Sequence, residues 1–238
     1  MLPYFNFGSF QVFTYPLILG IIWGLSYKLG IKFVQIKNLP IKQFKIYFLG
    51  AFASAWLGAK GLFLLTLDLP VVQRAVVSGH FWLGGGFVFY GGLIGGLIFT
   101  LIYSHKKKLS LSHFNFTIPI LVFGHALGRI GCFLAGCCYG SACELPWAVN
   151  IQGYLRHPVQ LYESFFLFVL GYILLKRFLR DKPLIIFYFC SYSILRFCLE
   201  FFRGDEIRGL FGLISTSQIV SLFIILCCIV FKHFYITK

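Results

Sequence analysis

The fold is decided by His125-Ala126-Leu127-Gly128-Arg129-Ile130-Gly131-Cys132-Phe133-Leu134-Ala135-Gly136-Cys137-Cys138-Tyr139-Gly140, which begins inside a long apolar run and ends in glycines and cysteines. Arg129 stands where a membrane helix gives way to an irregular loop. A guanidinium at that depth is costly unless a cavity, a counter-charge or an anionic ligand receives it, so it reads as functional by default. The competing reading is an arginine snorkelling to the interface from a helix end. Four glycines and three cysteines within the run, with Gly124 just before it and Cys143 just beyond, weigh against a plain spanning helix.

Working outward, 59% of the 238 residues are hydrophobic and 12% are charged, the composition of a polytopic membrane protein. The formal net charge of +14 invites a nucleic-acid reading, but position argues against it. Of 21 Lys and Arg, 14 fall in four short stretches, at 28–45, 106–108, 176–182 and 232–238. Those stretches alternate with weakly charged connections, which is the positive-inside pattern of a membrane protein and not a basic face. The N-terminal stretch has no charged n-region and its first apolar run is long enough to span, so no cleavable signal is expected. Holding the Lys-rich first loop inside places the N-terminus outside.

About 20 apolar residues per span predict seven helices, at 11–30, 46–67, 81–103, 114–134, 158–175, 183–202 and 213–231. The expectation is an all-α fold, residues 1–238 forming a single seven-helix membrane domain with its C-terminus in the cytoplasm. An outer connection holding Asp68, Arg74 and His80 precedes the third helix. That helix is glycine-rich (Gly84-Gly85-Gly86, Gly91-Gly92, Gly95-Gly96), which serves close helix approach or leaves room for a ligand. Lys60 is a lone cation in the second helix, either snorkelling, paired or functional.

Eight cysteines do not make a secreted disulfide framework here. Cys190, Cys198, Cys227 and Cys228 lie in apolar helices, where cysteine acts as a small hydrophobe. Cys132, Cys137, Cys138 and Cys143 cluster at the outer end of the fourth helix and are expected to shape that loop, with room for one disulfide. Their spacing lacks a paired C-x-x-C and a histidine repeat, so no metal is expected. Cys132 is the one candidate nucleophile, because Arg129 three residues earlier could lower its pKa.

The remaining polar residues build a constellation. Arg196, Glu200 and Arg203 are spaced i, i+4, i+7, one helical face on which a carboxylate can bridge two arginines. A structural ion-pair ladder would use those residues too, but two arginines to one carboxylate leave a positive surplus that suits a phosphate. The fifth helix opens on Arg156-His157-Pro158-Val159-Gln160-Leu161-Tyr162-Glu163, with Pro158 at a helix start and Gln160 and Glu163 sharing a face. Arg208 and Ser215-Thr216-Ser217-Gln218 add polar groups at the outer end of the seventh helix. Three guanidiniums at similar depth, flanked by Gln160, Glu163 and Glu200, read as a site for an anionic lipid headgroup. These residues alone do not separate an enzyme from a lipid-binding protein.

Several separated motifs in this order resemble the prolipoprotein diacylglyceryl transferases. The resemblance runs from Gly24-Leu25 and Tyr27 to Gln218, through Tyr90-Gly91-Gly92-Leu93-Ile94-Gly95, Gly128-Arg129-Ile130-Gly131 with Gly140, His157-Pro158-Val159-Gln160-Leu161-Tyr162-Glu163, and Arg196 through Arg203. It implies transfer of a diacylglyceryl group from phosphatidylglycerol to a lipobox cysteine thiol, with release of glycerol phosphate. The implied setting is the outer face of a bacterial inner membrane. The family's two essential arginines fall on Arg129 and Arg196, and its supporting glutamate and arginine on Glu200 and Arg203. Tyr90 occupies the position of a histidine proposed as catalytic base. The implied substrate-binding set adds Gln160, Glu163, His157, Gly91, Gly92, Gly128, Gly131, Gly140 and Cys132. The implied partners are phosphatidylglycerol, membrane lipid and a prolipoprotein; no cofactor, metal or nucleic acid is expected.

The chain departs from the family pattern at Tyr90, at Cys132 (usually Asn), at Ala135-Gly136-Cys137 (usually Asn-Gly-Glu), at Ser141 (usually Arg) and at Trp23 (usually Tyr). The anion-binding half is kept and the acceptor-handling half is changed. Two alternatives therefore stand beside the transferase: a paralogue that binds anionic phospholipid without this activity, and thiol chemistry using the outer-loop cysteines.

Overall fold

The computed structural model describes residues 4–7, 10–65, 67, 72–73, 77, 81, 88–204, 210–211 and 214–236. The Asp68, Arg74 and His80 connection, Gly84 to Gly86 and Arg208 lie outside the described residues. The described residues hold a hairpin β1 (Tyr4–Phe7) and β2 (Phe10–Phe13), then helices α1 (Thr14–Ile36), α2 (Ile41–Leu64), α3 (Phe89–Lys107) and α4 (Thr117–Ala135). A second hairpin, β3 (Val149–Ile151) and β4 (Tyr154–Arg156), leads to α5 (Val159–Leu179) and α6 (Ile185–Leu199). A 3-10 turn, Glu200–Phe202, follows α6; a third hairpin, β5 (Leu210–Phe211) and β6 (Ile214–Ser215), precedes α7 (Thr216–Ile236). All three hairpins are antiparallel and two-stranded.

The bulk of the fold is helical, and among the described residues five helical stretches are long and apolar enough to cross a membrane: Thr14–Ile36, Ile41–Leu64, Leu111–Ala135, Val159–Leu179 and Ile185–Phe202. Large apolar side chains such as Leu49, Leu57, Phe165 and Phe223 project outward from their helices. Exposed apolar rows of this extent would aggregate in water but match hydrocarbon, where helices satisfy every backbone polar group internally. The protein is an all-α polytopic membrane protein, with three short hairpins among the described residues.

The chain divides into two compact units, Met1–Ile22 with Thr117–Lys238, and Trp23–Phe116. In the second unit, α2 and α3 cross on glycine. A Cβ at Gly91 would land on the Gly58 carbonyl oxygen, and one at Gly95 on the Ser54 carbonyl oxygen. Small residues let helices approach where no hydrophobic drive separates protein from lipid. Tyr47 and Thr100 join their hydroxyls at 2.9 Å, and Tyr47, Tyr103, Phe114 and Phe116 form an aromatic cluster beside them. Lys60 is buried, donates to the Phe81 carbonyl and lies 4.4 Å from the Phe81 ring centroid. α1 runs past its expected end at Gly30 to Ile36, and the chain then reverses at Asn38 in the left-handed region (φ 52°) before Pro40 caps α2.

In the first unit, α4 packs on α5. Ser164 donates to the Ala126 carbonyl at 2.8 Å, and Gly171 accommodates the Phe123 ring. α4 ends in a Schellman motif: Gly136 takes φ 74°, its N–H bonds to the Phe133 carbonyl at 3.1 Å, and the Cys137 N–H bonds to the Cys132 carbonyl at 3.1 Å. α7 begins with a capping box. Ser215 Oγ accepts from the Gln218 N–H at 3.2 Å, and Gln218 Oε1 accepts from the Ser215 N–H at 3.0 Å.

The end of α6 corrects the sequence expectation. The helix stops at Leu199, Glu200 lies in the 3-10 turn, and Arg203 is extended (φ −78°, ψ 144°). The cause is a competing backbone partner. Phe202 accepts from the Ser141 N–H at 2.9 Å, Arg203 bridges to Gly140, and the Gly204 N–H donates to Tyr139 at 3.2 Å. A chain bonded laterally at three consecutive residues cannot continue its i to i−4 ladder.

Candidate active site

Glu163 is the centre of the site, one turn into α5 and 1% exposed. Pro158 starts that helix and thereby fixes the direction in which Glu163 leaves it. Four residues from two other helices converge on its carboxylate. Arg129 Nη2 of α4 lies 3.0 Å from Oε1, and the Tyr192 hydroxyl of α6 donates to the same oxygen at 3.0 Å. His125 Nε2 approaches Oε1 at 3.6 Å, and Arg196 Nη1 stands 3.8 Å from Oε2.

Arg196 couples this centre to a second carboxylate. Its Nη2 is 2.8 Å from Glu200 Oε2 and donates to Ser217 Oγ of α7 at 3.1 Å. Arg203 Nε lies 4.0 Å from the same Glu200 oxygen. Glu200 thus bridges two arginines as the sequence expectation had it, although Arg203 reaches it from an extended segment and not from the helix.

The charge balance decides what this arrangement can do. Among the described residues three guanidiniums face two carboxylates, leaving one positive charge in surplus. The carboxylate side chains are 1–2% exposed, whereas those of Arg129, Arg196 and Arg203 are 12–15% exposed, so the open side of the cluster is cationic. Arg129 Nε and Arg196 Nη1 are buried and make no hydrogen bond among the described residues. Buried donors are ordinarily satisfied, and spare guanidinium N–H groups are the natural ligands of a phosphate.

The other sequence-chosen residues divide by place. Gln160 Nε2 donates to the Cys137 carbonyl at 2.7 Å, tying the loop after α4 to α5. His157 meets Tyr162 and Phe202 with its ring, and its carbonyl accepts the Gly140 N–H at 3.1 Å. A Cβ at Gly140 would come within 2.5 Å of that carbonyl oxygen. Those contacts give His157 and Gly140 a role in shaping the platform formed by residues 139–142, 155–157 and 202–204. Gly131 packs on Tyr15 and Ile18, while Gly128 meets no neighbouring helix among the described residues. Gly91 and Gly92 face α2 at the glycine crossing. Tyr90 lies in the first turn of α3, and its side chain is outside the described residues.

His125 and Tyr192 were not selected from the sequence, although a signal existed. His125 is one turn before Arg129, and Tyr192 one turn before Arg196, so both extend known polar faces at i, i−4. Arg156 stacks 4.3 Å from the Tyr139 ring centroid and donates to the Gly140 carbonyl at 3.4 Å, supporting the platform.

All eight cysteines are free, so the disulfide expected as an option in the outer loop is not formed. Cys132, Cys137 and Cys138 instead gather with their sulfurs within 4.8 Å of one another, the geometry of a potential metal-ligating group. Cys143 stands outside this group, its N–H bonded to the Leu155 carbonyl at 3.1 Å. Hydrogen bonds from the Cys132 and Cys137 thiols, helped by the nearby Arg129 and Arg203 charges, hold Cys138 well below the usual thiol range.

With that geometry in place, sequence comparison becomes decisive. The profile of the family described as prolipoprotein diacylglyceryl transferase matches residues 3–234. The chain belongs to this family. It is 39% identical over 184 residues to the phosphatidylglycerol-prolipoprotein diacylglyceryl transferase of Clostridium tetani, covering 71% of this chain and 72% of the relative. Proteins of the same name from Finegoldia magna (29% identical, 97% of this chain and 94% of the relative) and Campylobacter lari (31%, 98% and 95%) match at nearly full length. The family resemblance read from separated motifs is therefore borne out.

Proposed function

We propose that this protein transfers a diacylglyceryl group from phosphatidylglycerol to the cysteine thiol of a prolipoprotein, at the outer face of a bacterial inner membrane. The observation that carries the reading is the surplus of buried guanidinium donors around Glu163 and Glu200, in a chain whose relatives are named for this reaction. In the reaction the acceptor sulfur forms a bond to a glycerol carbon of the diacylglyceryl group. The bond from that carbon to the phosphate oxygen breaks, and glycerol phosphate leaves with the bonding pair. The developing negative charge on the leaving phosphate is what Arg129 and Arg196 stabilise, from donors held in place before the reaction.

Glu163 and Glu200 orient those arginines and limit the cost of burying them, and Arg203 extends the cationic rim. Gln160, His157, Gly128, Gly131, Gly140 and Cys132 form the surrounding shell; Gly91 and Gly92 are assigned to substrate binding on the resemblance alone, their contacts being with α2. The acceptor thiol must lose its proton. Tyr90 is the group to test for that step, also on the resemblance, and a phenol with its ordinary pKa near 10 is a weak base at neutral pH.

The topology that goes with this function is a single domain of seven spans, N-terminus outside and C-terminus cytoplasmic. Labelling of introduced cysteines at Lys106, Lys107 and Lys108 should occur only from the cytoplasmic side; modification from outside overturns the orientation. The activity itself is tested with radiolabelled phosphatidylglycerol and a lipobox peptide. Label should pass to the peptide cysteine with release of glycerol phosphate. Binding of the lipid without transfer would leave the non-catalytic paralogue as the correct reading.

A further inference from the structure

The three gathered sulfurs are produced by the way α4 ends. In a Schellman motif the side chains of the C3 and C″ positions come into contact across the left-handed C′ residue. Here C3 is Cys132, C′ is Gly136 and C″ is Cys137, and the Cys137 thiol approaches the Cys132 carbonyl at 3.6 Å. Cys138 follows in the left-handed region (φ 57°), an uncommon backbone for a residue with a Cβ, and this second turn brings the third sulfur to the other two. The group is held from outside as well, because Gln160 Nε2 grips the Cys137 carbonyl at 2.7 Å.

We propose that Cys132, Cys137 and Cys138 form a three-sulfur site for a soft, thiolate-seeking cation, Cu+ or Zn2+. A Zn–S bond of about 2.3 Å places tetrahedral thiolates about 3.8 Å apart. The sulfurs, all within 4.8 Å, reach that spacing by side-chain rotation. Thiolates select Cu+ and Zn2+ over harder ions. Three sulfurs complete a trigonal Cu+ centre, and Zn2+ would add a fourth ligand from solvent, as in open zinc sites.

A cation held there would fasten the loop after α4 to the last turn of that helix. Gln160 carries the constraint to α5, three residues before Glu163, so the site is placed to hold the arginine–carboxylate cluster rigid. The inference does not rest on the transferase reading, since its geometry involves no lipid.

The test uses the full chain, purified in detergent and fully reduced under anaerobic conditions. Cu+ and Zn2+ are each titrated against a chromophoric chelator, and bound thiols are located by alkylation and peptide mass spectrometry. One ion per chain should protect Cys132, Cys137 and Cys138, with Cys143 still reacting. Cys132→Ser and Cys138→Ser should each weaken binding roughly tenfold or more, at least the loss seen when a supporting partner of a metal ligand is removed. Cys143→Ser should bind as the parent does. Metal-dependent protection of the unsubstituted chain does not depend on any variant folding. Failure of both ions to protect these three thiols overturns the proposal. So does recovery of any of them only after reductant in protein isolated without it, which would make the cluster a disulfide site.

Discussion

Two buried ionisable groups in apolar helices have opposite meanings in this protein. Lys60 in α2 is 2% exposed and is met locally, by the Phe81 carbonyl and the face of its ring. Arg129 of α4 and Arg196 of α6 are only 12–15% exposed; together with Arg203 they outnumber the two carboxylates among the described residues, and Arg129 Nε and Arg196 Nη1 make no hydrogen bond there. Depth in the membrane is therefore not what marks a functional charge. On the proposed function the mark is a surplus of guanidiniums over carboxylates among the described residues.

The glycines repeat the contrast. Gly91 is occupied by the backbone of Gly58, and removing its hydrogen for a side chain drives two helices apart. Among the described residues, beyond its own helix, nothing lies within 4 Å of the place a Cβ on Gly128, next to Arg129, would take. One glycine is needed by the helix crossing, and the other lies beside an arginine that the proposed function assigns to phosphate binding.

Breaking the cationic half should have the largest effect. Arg196→Ala is expected to lower diacylglyceryl transfer by about 10²–10³-fold, the usual cost of deleting a charge-stabilising donor. Arg196→Lys should not restore it, because an ammonium cannot serve Glu163, Glu200 and a phosphate from one planar fork. Ordinary transfer by Arg196→Ala, measured with labelled lipid and a lipobox peptide, would refute the assignment of Arg196 to the leaving phosphate.

Glu200→Gln should be milder, roughly a tenfold loss of transfer, because the amide keeps a hydrogen bond to Arg196 but gives up the charge assistance, worth about 1–2 kcal/mol. A loss equal to that of Arg196→Ala would mean Glu200 itself touches the reacting atoms.

Gly91→Val sharpens the comparison from the packing side. Over-filling the α2–α3 crossing should cost about 1–3 kcal/mol, read as a fall in thermal-unfolding midpoint in detergent. Gly128→Ala should leave that midpoint unchanged. If the two variants were equally destabilised, the distinction between a packing glycine and a site glycine would be wrong.

The smallest change belongs to Lys60. Lys60→Met should keep transfer within about twofold while costing about 1–3 kcal/mol of stability, since it removes the donor that satisfies a buried carbonyl. A large loss of transfer in a stably folded variant would place Lys60 in the reaction.

Composition and hydropathy alone determined that this is a helical membrane protein, because apolar runs of spanning length have few other stable forms. Local spacing also determined most of the polar constellation. Arg129, Glu163, Arg196, Glu200 and Arg203 were legible because i, i+3 and i, i+4 neighbours share a helix face wherever the helix lies. Which carboxylate is central was not legible: the choice of Glu163 depends on α4, α5 and α6 meeting at one height, and no single-helix pattern contains that. The same holds for Arg203, which left its expected helical face because residues 139–141 offered its neighbours lateral backbone bonds. For the cysteines, spacing pointed away from a metal, since a C-x4-C-C run fits no familiar ligand pattern. Only the left-handed turns at Gly136 and Cys138 folded that run back on itself, and backbone reversals of this kind set distances between side chains that linear spacing does not express.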